Sequence, residues 1–282
     1  MAEQKDLKQR KGLHRACWGL VPLVCPAMLA AAPPEITLGY EALYSDNIEN
    51  VDVEEESDVE NRFSLRVNYQ TDPGRCTASL NGGISHSVYS QNTFDPETQI
   101  NGGLNGNCEL ANGLSWVADN QIQEVTRTSR EADTPDNRTR KNLFKTGPDY
   151  RLRLSPRDSI LISARYENTE LSDPEDVDSD GARGSVFWNH LFEPDLSAGL
   201  SASVSDIELD TTAEIQTRTL NVTFNKRWAA TSLNGTAGIS EIETELGSTS
   251  RKSDGFVFEL NLNRELDSSA AVFLRASREL TD

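Results

Sequence analysis

The stretch Arg62-Phe63-Ser64-Leu65-Arg66-Val67-Asn68-Tyr69-Gln70 places Phe63, Leu65, Val67 and Tyr69 on one side and Arg62, Ser64, Arg66, Asn68 and Gln70 on the other. Apolar residues at every second position follow the period of a β-strand, whose successive side chains point to opposite faces. The rhythm extends in both directions. Upstream, Ile36, Leu38, Tyr40, Ala42 and Tyr44 share a face. Downstream, Ala78, Leu80, Gly82 and Ile84 oppose Thr77, Ser79, Asn81 and Gly83, and Ile100, Gly102, Leu104, Gly106, Cys108 and Leu110 oppose Asn101, Gly103, Asn105, Asn107 and Glu109. Further candidate strands centre on Ala118, Tyr150, Ala164, Trp188, Leu200, Val222, Ala237, Leu260 and Leu274, which makes thirteen.

The connections alternate in length. Short ones fall at Asp72-Pro73-Gly74, Asn112-Gly113, Ser155-Pro156-Arg157-Asp158, Glu193-Pro194-Asp195, Ala229-Ala230 and Asp267-Ser268, where Pro, Gly, Asn and Asp supply turn geometry. Long polar ones cover about 46–61, 90–99, 126–141, 168–183, 206–216 and 241–254. Strands of about ten residues with short turns at one end and long loops at the other are the pattern of a transmembrane β-barrel. The expected fold is therefore all-β, an antiparallel up-and-down transmembrane β-barrel with about 13 strands. Aromatic residues agree, since such a barrel carries them at two levels: Tyr44, Phe63, Phe144, Tyr166 and Phe256 lie beside long loops, and Tyr69, Trp116, Phe192 and Trp228 beside short turns. A soluble secreted β-protein, with its aromatics confined to an internal core, is the alternative architecture.

Composition narrows the function classes. The 282 residues include 45 Asp plus Glu against 27 Lys plus Arg, a net charge of −18, so a nucleic-acid partner is not expected. No stretch beyond the N-terminus is apolar enough for a spanning helix. Residues 1–15 hold Lys5, Lys8, Arg10, Lys11 and Arg15 and lead into an uncharged run that ends in Ala30-Ala31-Ala32. This reads as a secretory signal peptide over 1–32, followed by the barrel over 33–282. Its removal takes away five basic and two acidic side chains and lowers the net charge to −21. Cys25 lacks the small preceding residue of a lipidation site.

Two segments carry a family resemblance. Leu38-Gly39-Tyr40-Glu41-Ala42-Leu43-Tyr44-Ser45-Asp46-Asn47-Ile48 resembles the opening strand of bacterial outer-membrane β-barrel porins, a group that includes barrels associated with exopolysaccharide loci. Leu154-Ser155-Pro156-Arg157-Asp158-Ser159, with Ala164-Arg165-Tyr166-Glu167, resembles that group's internal hairpins. The resemblance covers most of the mature chain. It implies a barrel in the bacterial outer membrane, among lipid and lipopolysaccharide, with a transport or export role and no catalytic residues. Such barrels have an even strand number and typically finish on a terminal aromatic. Thirteen strands ending in Arg278-Glu279-Leu280-Thr281-Asp282 lead to the expectation of a C-terminally truncated sequence or one miscounted strand.

Opposite the apolar face, Arg62, Arg66, Arg75, Arg151, Arg153, Arg165 and Arg275 should point into the lumen. Two readings stand side by side: a basic stripe that favours an anionic solute or polysaccharide, or cations that pair with Glu109, Asp149, Glu167 and Glu259 and fill polar space. The loops are acidic, and Asp176, Asp178 and Asp180 before Gly181 match the first half of a calcium loop, although Phe187 stands where the bidentate Glu belongs. No cofactor is expected beyond surface-bound calcium. Cys76 and Cys108 fall on one face near the short turns, as a disulfide in an oxidising periplasm or as separate thiols. His86 and His190 sit in strands without a nucleophile, and HExxH, GxSxG, Walker A and CxxC motifs are absent, so an enzyme is not expected. The expected function is a porin-like passage for small solutes or a secreted polysaccharide. Its rivals are a non-conducting barrel with a surface-interaction or envelope role, and the soluble secreted β-protein.

Overall fold

The computed structural model describes residues 33–51, 55–128, 132, 134–173, 176–267 and 270–280. The signal-peptide reading of 1–32 lies outside the described residues. Thirteen strands run in sequence: β1 (Glu35–Ser45), β2 (Asp58–Gln70), β3 (Cys76–Tyr89), β4 (Glu97–Ala111), β5 (Leu114–Thr126), β6 (Arg138–Arg153), β7 (Asp158–Leu171), β8 (Ser179–Glu193), β9 (Leu196–Leu209), β10 (Ala213–Trp228), β11 (Thr231–Leu246), β12 (Thr249–Asp267) and β13 (Ala270–Arg278). They form one antiparallel sheet in which each strand pairs with its neighbours in the chain. Among the described residues β1 and β13 each have a single partner, β2 and β12.

Register turns the sequence alternation into continuous rows. Leu38, Leu65, Ile84 and Ile100 are successive cross-strand partners on one face of β1 to β4. Ile162, Val186, Ala202, Leu220, Ile239 and Phe256 continue that apolar face across β7 to β12. One residue along each strand, the opposite face carries Ser163, Ser185, Ser203, Thr219 and Ser240 as another row. The Thr219 and Ser240 hydroxyls meet at 3.0 Å.

Among the described residues no second sheet covers either face. Tyr89 is the only buried hydrophobic side chain among the described residues, while thirty-six large apolar side chains are exposed, Leu220 at 52% and Ile239 at 62% among them. Soluble monomers rarely expose contiguous apolar patches beyond a few hundred Å², so the apolar face needs an apolar solvent or partner. A soluble sandwich with its apolar rows pressed together is not what this chain forms.

The short turns match their sequence signals. Gly113 in the Asn112-Gly113 turn has φ +78°, and an added Cβ there would collide with the Arg151 carbonyl. In the Ser155–Asp158 turn the Ser155 hydroxyl donates to Asp158 Oδ2 at 2.7 Å and accepts from the N–H groups of Arg157 and Asp158.

Two expected long loops are strand instead. The segments 206–216 and 241–254 shrink to the Asp210–Thr212 and Gly247-Ser248 connections, with Thr212 at φ +68° and Gly247 at +61°. The cause is a change of phase. On the loop side of Arg218, Glu241 and Asp254, the face that carried Leu220, Ile239 and Phe256 carries Gln216, Glu243 and Lys252. Ile207, Ile215 and Ile242 stand on the other face, half-buried. Pairing continues, but the pattern no longer has the phase that marks the strands below.

Candidate functional site

The polar face holds the charges. Near β1 to β3, Arg62 donates to Glu60 Oε1 at 2.7 Å through Nη2 and 2.9 Å through Nε, and the buried Ser87 hydroxyl donates to the same oxygen at 2.6 Å. Glu41 stands 3.9 Å from the same guanidinium. Arg62 is thus a paired charge. Arg66, four residues on, faces Gly83 across the ladder and makes no ion pair among the described residues.

A second group spans β6 to β8. Arg165 binds Asp149 Oδ1 at 2.7 Å and donates to the Pro148 and Ala164 carbonyls. Glu167 lies 3.6 Å from both Lys145 and Arg183. Arg151 and Arg153, on the same face of β6, are exposed and make no ion pair among the described residues. On β13, Arg275 meets Glu259 Oε1 at 3.1 Å. Of the seven arginines expected on this face, Arg62, Arg165 and Arg275 are neutralised locally, and Arg66, Arg151 and Arg153 keep their charge uncompensated by a bonded partner.

Arg75 departs from the expectation. It lies in the turn before β3, outside the strand alternation, and its Nη2 donates to the Leu110 carbonyl at 3.3 Å. The adjacent Cys76 is opposite Cys108 in the ladder, and the two are joined by a disulfide.

The calcium expectation for Asp176, Asp178 and Asp180 does not match the geometry either. Asp176 faces Arg127 at 3.7 Å, Asp178 Oδ1 accepts the Leu171 N–H at 2.7 Å, and Asp180 already belongs to β8. Asp176 and Asp178 precede the strand and are engaged by different partners. Among the described residues no group of three acidic, histidine or cysteine side chains gathers to hold a metal.

His190 Nδ1 lies 2.7 Å from Asp158 Oδ1, and Ser155 donates to the other carboxylate oxygen. A nucleophilic triad needs the imidazole between serine and carboxylate. Here the carboxylate is between them, so the serine has no base. The cluster ties a turn to the aromatic edge of the sheet, where the His190 and Phe192 rings stand 4.5 Å apart.

Sequence reasoning missed Lys145 and Arg183. Lys145 was recoverable from its alternation with Phe144, whereas Arg183 fell in a segment read as loop. It also passed over a set of uncharged side chains on β8 to β12, Asn189, Asn225, Asn234 and Asn261 among them, which carry no charge signal. A concavity of about 1150 Å³ is walled by the apolar face, including Ile162, Val186, Leu220, Ile239 and Phe256.

No protein-family model matches the chain, and no curated protein matches it. Solved structures with partial likeness include an outer membrane channel from Pseudomonas putida F1, 14% identical over 84% of this chain and 95% of that one, with a TM-score of 0.39. Two forms of OmpT, an outer membrane protein of Vibrio cholerae, are each 12% identical. The loop L8 deletion mutant has a TM-score of 0.40 over 86% of this chain and 93% of that one, and the in-vitro folded trimer form 0.39 over 88% and 89%. Likenesses at this level assign nothing to this chain, whose reading rests on its own two faces.

Proposed function

We propose that the chain forms the wall of a bacterial outer-membrane pore, with its apolar face against lipid and its polar face lining a water-filled passage for small solutes. The observation that carries this reading is the inverted exposure: apolar rows exposed on one side, hydroxyls, amides and ion pairs on the other. Along β10 the apolar face runs from Leu220 to Trp228. Eight steps of about 3.4 Å give roughly 27 Å of strand, or about 20 Å of height at a tilt near 40°, against an apolar band of about 25 Å in outer-membrane barrels.

Lys226 interrupts the row without contradicting it, because its ammonium reaches Glu193 at 3.2 Å and Asp195 at 2.9 Å at the turn end. Long basic side chains snorkel in this way at membrane edges. Rings at two levels fit the same frame: Tyr40 and Phe63 lie 5.0 Å apart towards the loops, and the Trp116 indole donates to Thr146 at 2.9 Å on the opposite half.

The uncompensated Arg66, Arg151 and Arg153 support a preference for anions, since fixed lumenal charge sets pore selectivity. The test is conductance in planar bilayers. Steady current with chloride favoured over potassium is expected, and Arg151→Gln with Arg153→Gln lowers that preference more than Arg62→Gln, whose loss mainly frees Glu60. Protein that inserts but passes no current would leave a non-conducting surface or envelope barrel, and protein soluble without detergent would overturn the membrane reading altogether.

A further inference from the structure

The polar face has a second kind of surface. Towards the short turns of β8 to β12 lies a recess of about 210 Å³. Asn189, Gly199, Thr223, Thr236 and Glu259 form one cross-strand row of it. Ser197, Asn225, Asn234 and Asn261 form the next row towards the turns. The ring of Phe187 closes the loop side.

Three features point to a ligand. First, the side chains of Asn189, Ser197, Thr223, Asn225 and Thr236 make no hydrogen bond to protein among the described residues. Each amide offers two donors and an acceptor, and each hydroxyl offers both functions. Second, the acidic group is fixed: Glu259 Oε1 accepts from Asn261 at 2.9 Å and lies 3.1 Å from Arg275, and Asn261 also reaches Asn234 at 3.4 Å. Third, Gly199 keeps the floor of the recess bare: a Cβ there would collide with the Trp188 carbonyl and would also stand 3.0 Å from Phe187 Cε2 and 3.1 Å from Thr223 Oγ1.

A flat apolar ring beside mixed donors and acceptors, with no free cation, suits a solute whose hydroxyls both donate and accept while its C–H face packs on carbon. We propose that this recess binds a neutral sugar ring, such as one pyranose unit of an oligosaccharide. An anionic solute would meet Glu259 here, and the exposed Arg227 on this face of β10 stands outside the recess, beyond Asn225 towards the turn. The volume is below the roughly 300–1,000 Å³ of drug-sized pockets and holds one ring at a time. The site rests on the reading of this face as a wet lumen wall.

Saturation-transfer NMR on the full chain folded in lauryldimethylamine oxide, a detergent without sugar, tests it with maltotriose and glucuronate as probes. Saturation transfer to maltotriose is expected, with excess maltose displacing it and glucuronate receiving less than a third as much. Thr223→Val combined with Asn225→Leu should reduce the maltotriose signal at least five-fold, and Phe187→Leu, which keeps bulk but loses the flat ring, at least two-fold. Heat-modifiable gel migration verifies that each variant is folded. No transfer in the native chain, equal transfer to glucuronate, or undiminished transfer in both variants overturns the proposal. The same preparation in planar bilayers separates it from the pore reading. Sugar binding without current sinks the pore and keeps the site, and current without sugar binding sinks the site alone.

Discussion

Along β10, Leu220, Val222 and Phe224 are exposed while Thr219, Asn221 and Thr223 between them are half-buried; a few residues towards the loops, Ile215 is half-buried and its neighbour across the ladder is Ile207. The lower part of the strand therefore shows its apolar side to the surroundings and the upper part hides it. In water only the second arrangement is favourable, since exposed apolar surface costs about 25 cal/mol per Å². On the proposed membrane reading, the change of phase at Arg218, Glu241 and Asp254 marks where the solvent of the outer surface changes from hydrocarbon to water. The charges at that boundary bind one another: Glu241 lies 3.4 Å from Arg218 and 2.8 Å from Lys252.

Substitutions on the two sides of this boundary should differ most. Leu220→Arg places a cation on the apolar face inside the band and is expected to cost about 2–4 kcal/mol of stability in lipid vesicles, measured by reversible denaturant unfolding. Gln216→Arg, four residues away on the same face but above the boundary, should stay within about 0.5 kcal/mol. Similar penalties at both positions would erase the boundary.

The loop end supplies the next effect. Asp58 is fully buried and accepts the N–H groups of Val59, Gln91 and Thr93, and although burial alone would raise its pKa, these donors hold it below the usual carboxylate range. Asp58→Ala should cost about 1–3 kcal/mol through the donors it strands. Hydrogen exchange at the Gln91 and Thr93 amides should accelerate, while the amides of Leu220 and Val222 stay protected.

The smallest effect belongs to the turn end. The Lys226 ammonium, hydrogen-bonded to Asp195, holds that turn carboxylate below its ordinary range. A depressed carboxylate pKa stabilises the fold above the unfolded value, and the contribution is lost as pH falls through the folded one. Asp195→Asn should therefore be slightly less stable than the native chain at pH 7, with the difference vanishing in acid below the usual Asp range. A difference that persists in acid would separate Asp195 from the pair.

The strands of the band were legible because a single phase runs through each of them. Phe63 to Tyr69 and Leu220 to Phe224 need no knowledge of partners to be assigned, and Asn112-Gly113 states its own turn. The upper parts of β9 to β12 were not legible, since charged and apolar residues exchange faces there, and a change of phase looks like the end of a strand. The charge clusters were half visible. Alternation puts Arg165 and Asp149 on one face, but only register makes them neighbours, and nothing in the sequence separates them from the unpaired Arg151. The calcium pattern is of a related kind, because spacing along the chain does not by itself bring carboxylates together in space.

Spin labels placed singly from Gln216 to Phe224 on the chain in lipid vesicles test the central claim most directly, through their collision with oxygen, which concentrates in lipid, and with a water-soluble nickel chelate. The account predicts oxygen-accessible, nickel-protected labels at 220, 222 and 224, the reverse at 219, 221 and 223, and a nickel-accessible label at 216. Labels at 220, 222 and 224 that the nickel chelate reaches as readily as those at 219, 221 and 223 would contradict it.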